Sequence, residues 1–161
     1  MNLEEKIGQL FIVGFDGAEL SDSITELIKQ TKIGGVILFS RNYKDIPQLT
    51  KLINDLQVCS LEYQGLPLFI SVDQEGGRVS RLGSPFTQFP PCAELGASDN
   101  ENQTKSYAAT LARELKSCGI NMNYAPVLDI LTNKENEVIG DRAFGSNPDL
   151  VACHGNIVIK E

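Results

Sequence analysis

The chain contains 161 residues, of which 42% are hydrophobic, and its formal net charge at pH 7 is −7. This length suits one hydrophobic core, because domains commonly contain about 100–150 residues. The acidic balance and the lack of a run of basic residues argue against nucleic acid as a partner, since such binding relies on clustered lysine and arginine.

The N-terminal segment and the cysteines indicate the cellular compartment of the protein. Residues 1–6 lack the basic and apolar regions of a signal peptide, and no apolar run approaches the ~20 residues of a membrane span. Cys59, Cys92, Cys118 and Cys153 are spaced too widely for a zinc motif or a disulfide framework, so we predict free, mostly buried thiols. We expect a cytoplasmic protein with no cofactor, no metal and no membrane partner.

Four apolar segments have the character of buried strands, and each precedes a helical pattern. The strands are predicted at Leu10–Phe15, Gly35–Phe39, Leu68–Val72 and Asn121–Leu128. The helices are predicted after a capping box at Ser23–Glu26, over Ile46–Leu61, over Gln103–Ser117 with Gly119 just beyond its end, and from Pro148 towards Ile159.

Strands that are apolar throughout and alternate with amphipathic helices predict an α/β fold with a parallel sheet covered on both faces. Two architectures share this pattern, and the pattern alone does not choose between them. A doubly wound sheet could be complete in 161 residues, whereas a (β/α)8 barrel needs about 250 residues and eight repeats, of which four are present.

Two long irregular segments follow predicted strands. They are residues 73–100, here called the first loop, and residues 129–147, here called the second loop. Loops longer than about 12–15 residues inside compact domains are commonly functional. Because both follow the carboxyl end of a strand, where α/β proteins bind ligands, we expect the functional residues here.

The first loop opens with Asp73, which could accept hydrogen bonds from vicinal hydroxyls or serve as a turn cap. Gly76 and Gly77 permit a sharp turn and the close approach of a ligand. Arg78 is predicted to pair with Glu75, although arginine also supplies forked donors to hydroxyls and carbonyls. A phosphate ligand is weakly supported, because neither glycine fingerprint for phosphate binding is present.

The second loop contains Asp129, Asp141 and Arg142. Asp141 and Arg142 are predicted to form a solvated pair, and Asp129 is predicted to fasten the loop by accepting backbone N–H hydrogen bonds. His154, the single histidine, has no histidine or cysteine three or four residues further on. We therefore predict a partly exposed helix residue without a metal role.

Six segments of the chain, taken in order, resemble the N-terminal half of glycoside hydrolase family 3. They are Lys6–Phe11, Gly34–Phe39, Ile70–Val79, Phe86–Pro91, Asn123–Asp129 and Ile139–Pro148. The motifs Asp-Gln-Glu-Gly-Gly-Arg and Asp-Arg-Ala-Phe-Gly are the most specific of these. The residues of these motifs are most similar to those of the single-domain bacterial β-N-acetylglucosaminidases that act in peptidoglycan recycling.

This resemblance implies that residues 1–161 form the first half of a (β/α)8 barrel, truncated after about the fourth β/α unit. The implied activity is the removal of terminal β-linked N-acetylglucosamine with retention of configuration. The resemblance also implies sugar-binding roles for Asp73, as an acceptor from ring hydroxyls, and for Arg81 and Arg142, as donors to hydroxyl oxygens. The implied partner is a small sugar substrate.

Family members continue with a Lys-His-Phe-Pro-Gly-His-Gly segment, a histidine–aspartate acid/base pair and an aspartate nucleophile, which have no counterpart in these 161 residues. We therefore expect the chain alone to be catalytically silent, and the unpaired edges of a half-barrel to promote self-association into a homo-oligomer. Two alternatives stay open: a non-catalytic sugar-binding or regulatory module, and an unrelated doubly wound domain that binds another small ligand.

Overall fold

The computed structural model describes all 161 residues, which form two compact units. The first unit comprises Met1–Val72 and Leu115–Asn123, and the second comprises Asp73–Glu114 and Tyr124–Glu161. In chain order the elements are α1 Leu3–Gly8, β1 Ile12–Gly14, α2 Asp22–Thr31, β2 Gly35–Leu38, α3 Ile46–Gln64, β3 Phe69–Val72, β4 Gln74–Gly76, β5 Val79–Ser80, α4 Cys92–Ser98, α5 Glu101–Ser117, β6 Met122–Asn123 and α6 Pro148–Lys160. None of the helices combines the length and the apolar character that crossing a membrane requires.

The first unit is built on a parallel sheet with the strand order β1-β2-β3-β6. Each strand of this sheet lies beside the sheet strand that precedes it along the chain, so the strand order in space follows the order in the sequence without a reversal. A doubly wound sheet reverses its order near the middle, whereas a barrel adds every strand next to the last. The sequential order identifies the first half of a (β/α)8 barrel and rules out the doubly wound alternative.

The core of the first unit contains alternate side chains of β2 and β3. Val36, Leu38, Ile70 and Val72 are all buried, and their register and spacing place them on the same face of the sheet. On the other face of β3, Ser71 is buried and Phe69 is 57% exposed. Gly35 is needed for strand pairing, because a Cβ atom there would lie 2.6 Å from the carbonyl oxygen of Phe69. The remaining core side chains come from α2 and α3 and include Ile24, Ile28, Leu49, Leu52, Ile53 and Leu56.

The helix α3 has well-defined signals at both ends. The Asp45 carboxylate accepts a hydrogen bond of 2.8 Å from the backbone N–H of Gln48, which caps the first turn. The helix stops at Gly65, whose φ of 71° is in the left-handed region that glycine adopts without strain. The predicted start at Ile46 is confirmed, and the helix continues three residues beyond the predicted end.

The other helix predictions have mixed outcomes. Helix α5 ends as predicted: Gly119 has a φ of 96°, and the N–H of Ile120 donates to the carbonyl of Leu115 at 3.1 Å, as in a Schellman motif. The capping box at Ser23–Glu26 is wrong, because α2 already begins at Asp22 and its cap residue is Ser21.

The prediction for His154 is also wrong, because this residue is completely buried in the second unit. Its Nδ1 atom lies 2.7 Å from the hydroxyl of Thr104, and its Nε2 atom lies 3.2 Å from Oδ1 of Asp99. The ring also stacks on Phe144 at 5.3 Å. His154 follows the buried Val151 by three residues, so helical periodicity places both on the inner face of α6.

Close backbone packing fixes the rest of the second unit. A Cβ atom on Gly96 of α4 would lie 1.7 Å from the carbonyl oxygen of Phe144, so no other residue fits there without displacing that backbone. The side chain of Asn147 accepts a hydrogen bond of 2.9 Å from the N–H of Asp149 and caps α6. All four cysteines are free, as predicted, and Cys153 is the only one that is not buried.

Candidate functional site

The first loop opens as a tight antiparallel hairpin formed by β4 and β5. Gly76 and Gly77 turn the chain with φ values of 101° and 56°, which strongly favour glycine. A Cβ atom on Gly76 would lie 2.5 Å from the carbonyl oxygen of Pro90, and the N–H of Gly77 donates to the carbonyl of Phe89 at 2.8 Å. The glycines therefore let the hairpin pack closely against the later part of its own loop.

Gln74 holds the backbone at Arg81. Its side chain is buried, and its Oε1 atom accepts hydrogen bonds from the N–H groups of Arg81 at 2.7 Å and Leu82 at 3.1 Å. The terminal nitrogen NH2 of Arg81 lies 3.6 Å from Oδ2 of Asp73. Two of the three predicted site residues are therefore neighbours, and both remain partly exposed. The role of Gln74 was not predicted from the sequence.

The third predicted site residue, Arg142, forms a two-pronged ion pair with Glu75. Its Nε atom donates to Oε2 at 2.9 Å and its NH2 atom donates to Oε1 at 2.7 Å. The Glu75 side chain is only 4% exposed, and the hydroxyl of Tyr107 donates to its backbone carbonyl at 2.6 Å. This arrangement fixes both the plane and the direction of the Arg142 guanidinium.

The predicted pairing of the charged residues is wrong, because the two arginines have exchanged partners. Arg78 pairs with Asp141 at 2.9 Å instead of Glu75, and Arg142 pairs with Glu75 instead of Asp141. The neighbours in sequence, Asp141 and Arg142, belong to a short 3₁₀ turn over Gly140–Arg142. The buried Glu75 carboxylate binds Arg142 through two hydrogen bonds, and the exposed Asp141 carboxylate binds Arg78.

Charge around Arg142 keeps its guanidinium protonated. The hydrogen bonds that Arg142 donates to Glu75 raise the pKa of Arg142, and the negative charges of Asp73 and Asp129 also raise it. The charge of Asp73, in the first loop, therefore acts on Arg142 in the second loop. The Asp129 carboxylate is exposed and acts here through its charge; the loop-fastening hydrogen bonds predicted for it are not found.

A buried polar layer lies next to the Glu75 carboxylate. Burial and, to a smaller extent, the charge of Glu75 raise the pKa of the Cys92 thiol to about 11. Burial also raises the pKa of the Tyr107 hydroxyl well above its ordinary value. Both groups are therefore neutral at physiological pH.

The site contains the donors and acceptors of a polar-ligand site. A guanidinium has five N–H donors, and Arg142 uses two on Glu75 and one on the carbonyl of Val138. One N–H on each terminal nitrogen is left for a ligand. Asp73 adds carboxylate acceptors, and no group of three or more His, Cys, Asp and Glu side chains is arranged to hold a metal ion.

Comparisons with known proteins agree with this geometry. The family model described as the glycosyl hydrolase family 3 N-terminal domain matches residues 2–161. A β-hexosaminidase from Thiobacillus denitrificans is 40% identical over 149 residues, which are 89% of this chain and 40% of that protein.

Solved structures match equally well. A glycoside hydrolase family 3 β-N-acetylglucosaminidase from Paenibacillus superposes with a TM-score of 0.96 at 41% identity, covering 99% of this chain and 30% of the other. NagZ from Neisseria gonorrhoeae, solved in complex with N-trifluoroacetyl-D-glucosamine, gives a TM-score of 0.83 at 33% identity, covering 91% of this chain and 44% of the other.

The chain thus spans about 40% of the length of the first curated relative and less than half of either solved structure. The match nevertheless includes both motifs, the sequential parallel strands and the two loops that carry the site. The chain belongs to glycoside hydrolase family 3, and residues 2–161 match the model of the N-terminal domain of that family.

Proposed function

We propose that this chain supplies sugar-binding residues to a glycosidase that removes terminal β-linked N-acetylglucosamine with retention of configuration. Asp73 accepts hydrogen bonds from ring hydroxyls, while Arg81 and Arg142 donate to hydroxyl oxygens. The curated relative is named a β-hexosaminidase, and one matching structure contains N-trifluoroacetyl-D-glucosamine. Both names point to an N-acetylhexosamine as the recognised unit.

One observation carries the proposal: the three residues lie within the same compact unit, and the Asp73 carboxylate interacts with both arginines. Arg81 lies 3.6 Å from Asp73, and the charge of Asp73 raises the pKa of Arg142. A carboxylate combined with guanidinium groups is suited to adjacent hydroxyls, which donate to the carboxylate and accept from arginine.

The proposal also includes the type of hydrolysis and the cellular process in which it takes place. Retaining hydrolysis needs a carboxylate nucleophile and a proton donor on opposite sides of the scissile bond. We assign neither role to a residue of this chain, so binding and bond cleavage are separate tests. The setting we propose is the recycling of peptidoglycan fragments in the cytoplasm, on the strength of the Asp-Gln-Glu-Gly-Gly-Arg motif.

The binding test is a titration of the ¹⁵N-labelled chain with N-acetylglucosamine, followed by NMR. We expect saturable shifts in the first and second loops. Asp73→Asn should weaken binding by about tenfold or more, because a hydrogen bond to a charged group contributes about 1.5–3 kcal/mol. The matched control is Asp149→Asn, an exposed aspartate in the first turn of α6. Equal affinity of the wild type and Asp73→Asn would contradict the proposal.

The hydrolysis test uses an aryl β-N-acetylglucosaminide with the purified 161-residue chain. We expect binding without sustained release of the aryl group, because the roles assigned here are binding roles. Sustained hydrolysis that is abolished by Asp73→Asn would show that the chain also contains the groups that break the bond.

A further inference from the structure

Arg78 lies outside the set of proposed sugar-binding residues, yet its side chain donates to four groups of the second loop. Its NH2 atom donates to the carbonyl oxygens of Glu137 at 2.7 Å, Val138 at 2.7 Å and Ile139 at 3.2 Å. Its Nε atom donates to Asp141 at 2.9 Å. The whole side chain is thus directed at residues 137–141 of the second loop, here called the 137–141 segment.

A single exposed ion pair would not explain this arrangement. The Arg78 and Asp141 side chains are 47% and 46% exposed, and such pairs contribute little to stability. The three carbonyl groups are different, because carbonyl oxygens directed at one point repel each other unless a hydrogen-bond donor or a cation lies between them, and a guanidinium is both. Arg78 provides that cation at the start of the turn that leads into Arg142.

The same segment connects Arg78 to Arg142. The carbonyl oxygen of Val138 accepts from Arg78 at 2.7 Å and from Arg142 at 3.2 Å. The turn continues through Gly140, whose φ is 46° and whose Cβ position lies 3.6 Å from NH2 of Arg78. Arg142 is therefore held at its tip by Glu75 and at its backbone by a turn that Arg78 organises.

We propose that Arg78 is a positioning residue: by holding the 137–141 segment, it sets the direction in which Arg142 presents its two remaining N–H donors to a ligand. This inference rests on the proposed function, since it assumes that Arg142 donates to a sugar. Arg78 itself does not touch the ligand. Its loss should disorder the segment locally and weaken binding, while the rest of the fold persists.

The test compares Arg78→Ala with Arg113→Ala in the full chain. Arg113 is an exposed arginine of α5 whose side chain donates only to Thr110, so its removal matches the change in charge. Hydrogen exchange is measured at the amides of Gly140 and Arg142, which donate to the carbonyls of Asn136 and Ile139 at 2.9 Å. Affinity for N-acetylglucosamine and the urea midpoint are measured on the same samples.

In Arg78→Ala we expect both amides to exchange about tenfold faster and the affinity to fall about tenfold, because small displacements of a positioning group have effects of this size. The urea midpoint should stay at the wild-type value. Arg78→Lys should recover part of the affinity, since an ammonium can still lie between the carbonyls. Arg113→Ala should match the wild type in all three measurements.

Three results would overturn the inference. Faster exchange with unchanged affinity would show that the segment does not direct Arg142. Weaker binding with unchanged exchange would show that Arg78 contacts the sugar directly. A fall in the urea midpoint that accounts for the loss of binding would show a general structural role. If the wild-type chain binds no N-acetylglucosamine, the proposed function fails, and the exchange measurement alone decides whether Arg78 holds the segment.

Discussion

The central strands of the first unit and the loops of the second unit are held by different means. In the first unit, β2 and β3 bond to each other along their length and bury the apolar side chains of one face. In the second unit, the side chains of Gln74, Arg78 and Arg142 bond directly to backbone N–H and carbonyl groups. A core tolerates exchange between apolar residues of similar volume, whereas each polar contact depends on one particular side chain. The central strands of the first unit therefore respond to side-chain volume, and the loops of the second unit respond to chemical identity.

The largest effect is expected where the second unit loses its buried charge pair. Glu75→Gln preserves volume but leaves the Arg142 guanidinium without its carboxylate, and breaking a buried pair from one side costs about 3–5 kcal/mol. Urea denaturation measures this loss of unfolding free energy. The double variant Glu75→Leu with Arg142→Leu should recover much of it, since both charges are then absent. A loss below about 1 kcal/mol in Glu75→Gln would show that the pair is well hydrated.

In the first unit, the free energy of unfolding should depend on the volume of the buried side chains. Ile70 is completely buried in β3, so Ile70→Ala should lower the unfolding free energy by about 2–5 kcal/mol, and Ile70→Val by about 1 kcal/mol. Urea denaturation of the two variants gives the ratio directly. Equal losses in the alanine and valine variants would contradict a response that scales with the volume removed.

A smaller effect on the free energy of unfolding depends on pH and arises from the buried thiol of Cys92. Burial raises the pKa of its thiol from 9.0 to about 11, so the folded state favours the neutral form. The stability that this contributes is present below pH 9 and is lost as the pH rises through 11. By pH 10.5 the wild type should lose about 2 kcal/mol more than Cys92→Ala, relative to pH 8. Parallel pH profiles of the two proteins would refute the assignment.

The smallest effect is expected from Asp141→Asn, because the ion pair with Arg78 is exposed on both sides. Its unfolding free energy should fall by less than about 1 kcal/mol. Urea denaturation in low and high salt checks this, and the small difference should shrink as salt is added. A loss comparable to that of Glu75→Gln would mean that the polar contacts of the second unit act as one connected network.

The first unit was predictable because its signal is local and repeated. Short, mainly apolar runs at Gly35–Phe39 and Leu68–Val72 indicated strands, and Gly65 and Gly119 end helices through a backbone conformation that glycine favours. The choice between two α/β architectures was not predictable from the pattern, because strand order depends on which strands meet in space. The observed order of the sheet supplied that information.

The second unit was harder to predict because its contacts join distant parts of the chain. Arg78 reaches Asp141, 63 residues away, and Arg142 reaches Glu75, 67 residues away, so nearness in sequence suggested the wrong partners. Gln74 looked like an ordinary polar loop residue, although its side chain bonds to three backbone groups. His154 was misassigned because its helix was considered without the elements that pack against it. The helix α4 and the hairpin were not predicted either, since their conformation depends on close packing at Gly96 and Gly76.

The acceptors that Arg78 uses in the 137–141 segment are mostly main-chain carbonyls. Every residue type carries such a carbonyl, so substitutions at positions 137–139 leave these acceptors in place. The Val138 side chain is 70% exposed while its carbonyl receives two arginine hydrogen bonds. This stretch is therefore free to diverge in evolution without losing its shape, and position 138 is a suitable attachment point for a fluorescent label that reports on the loop.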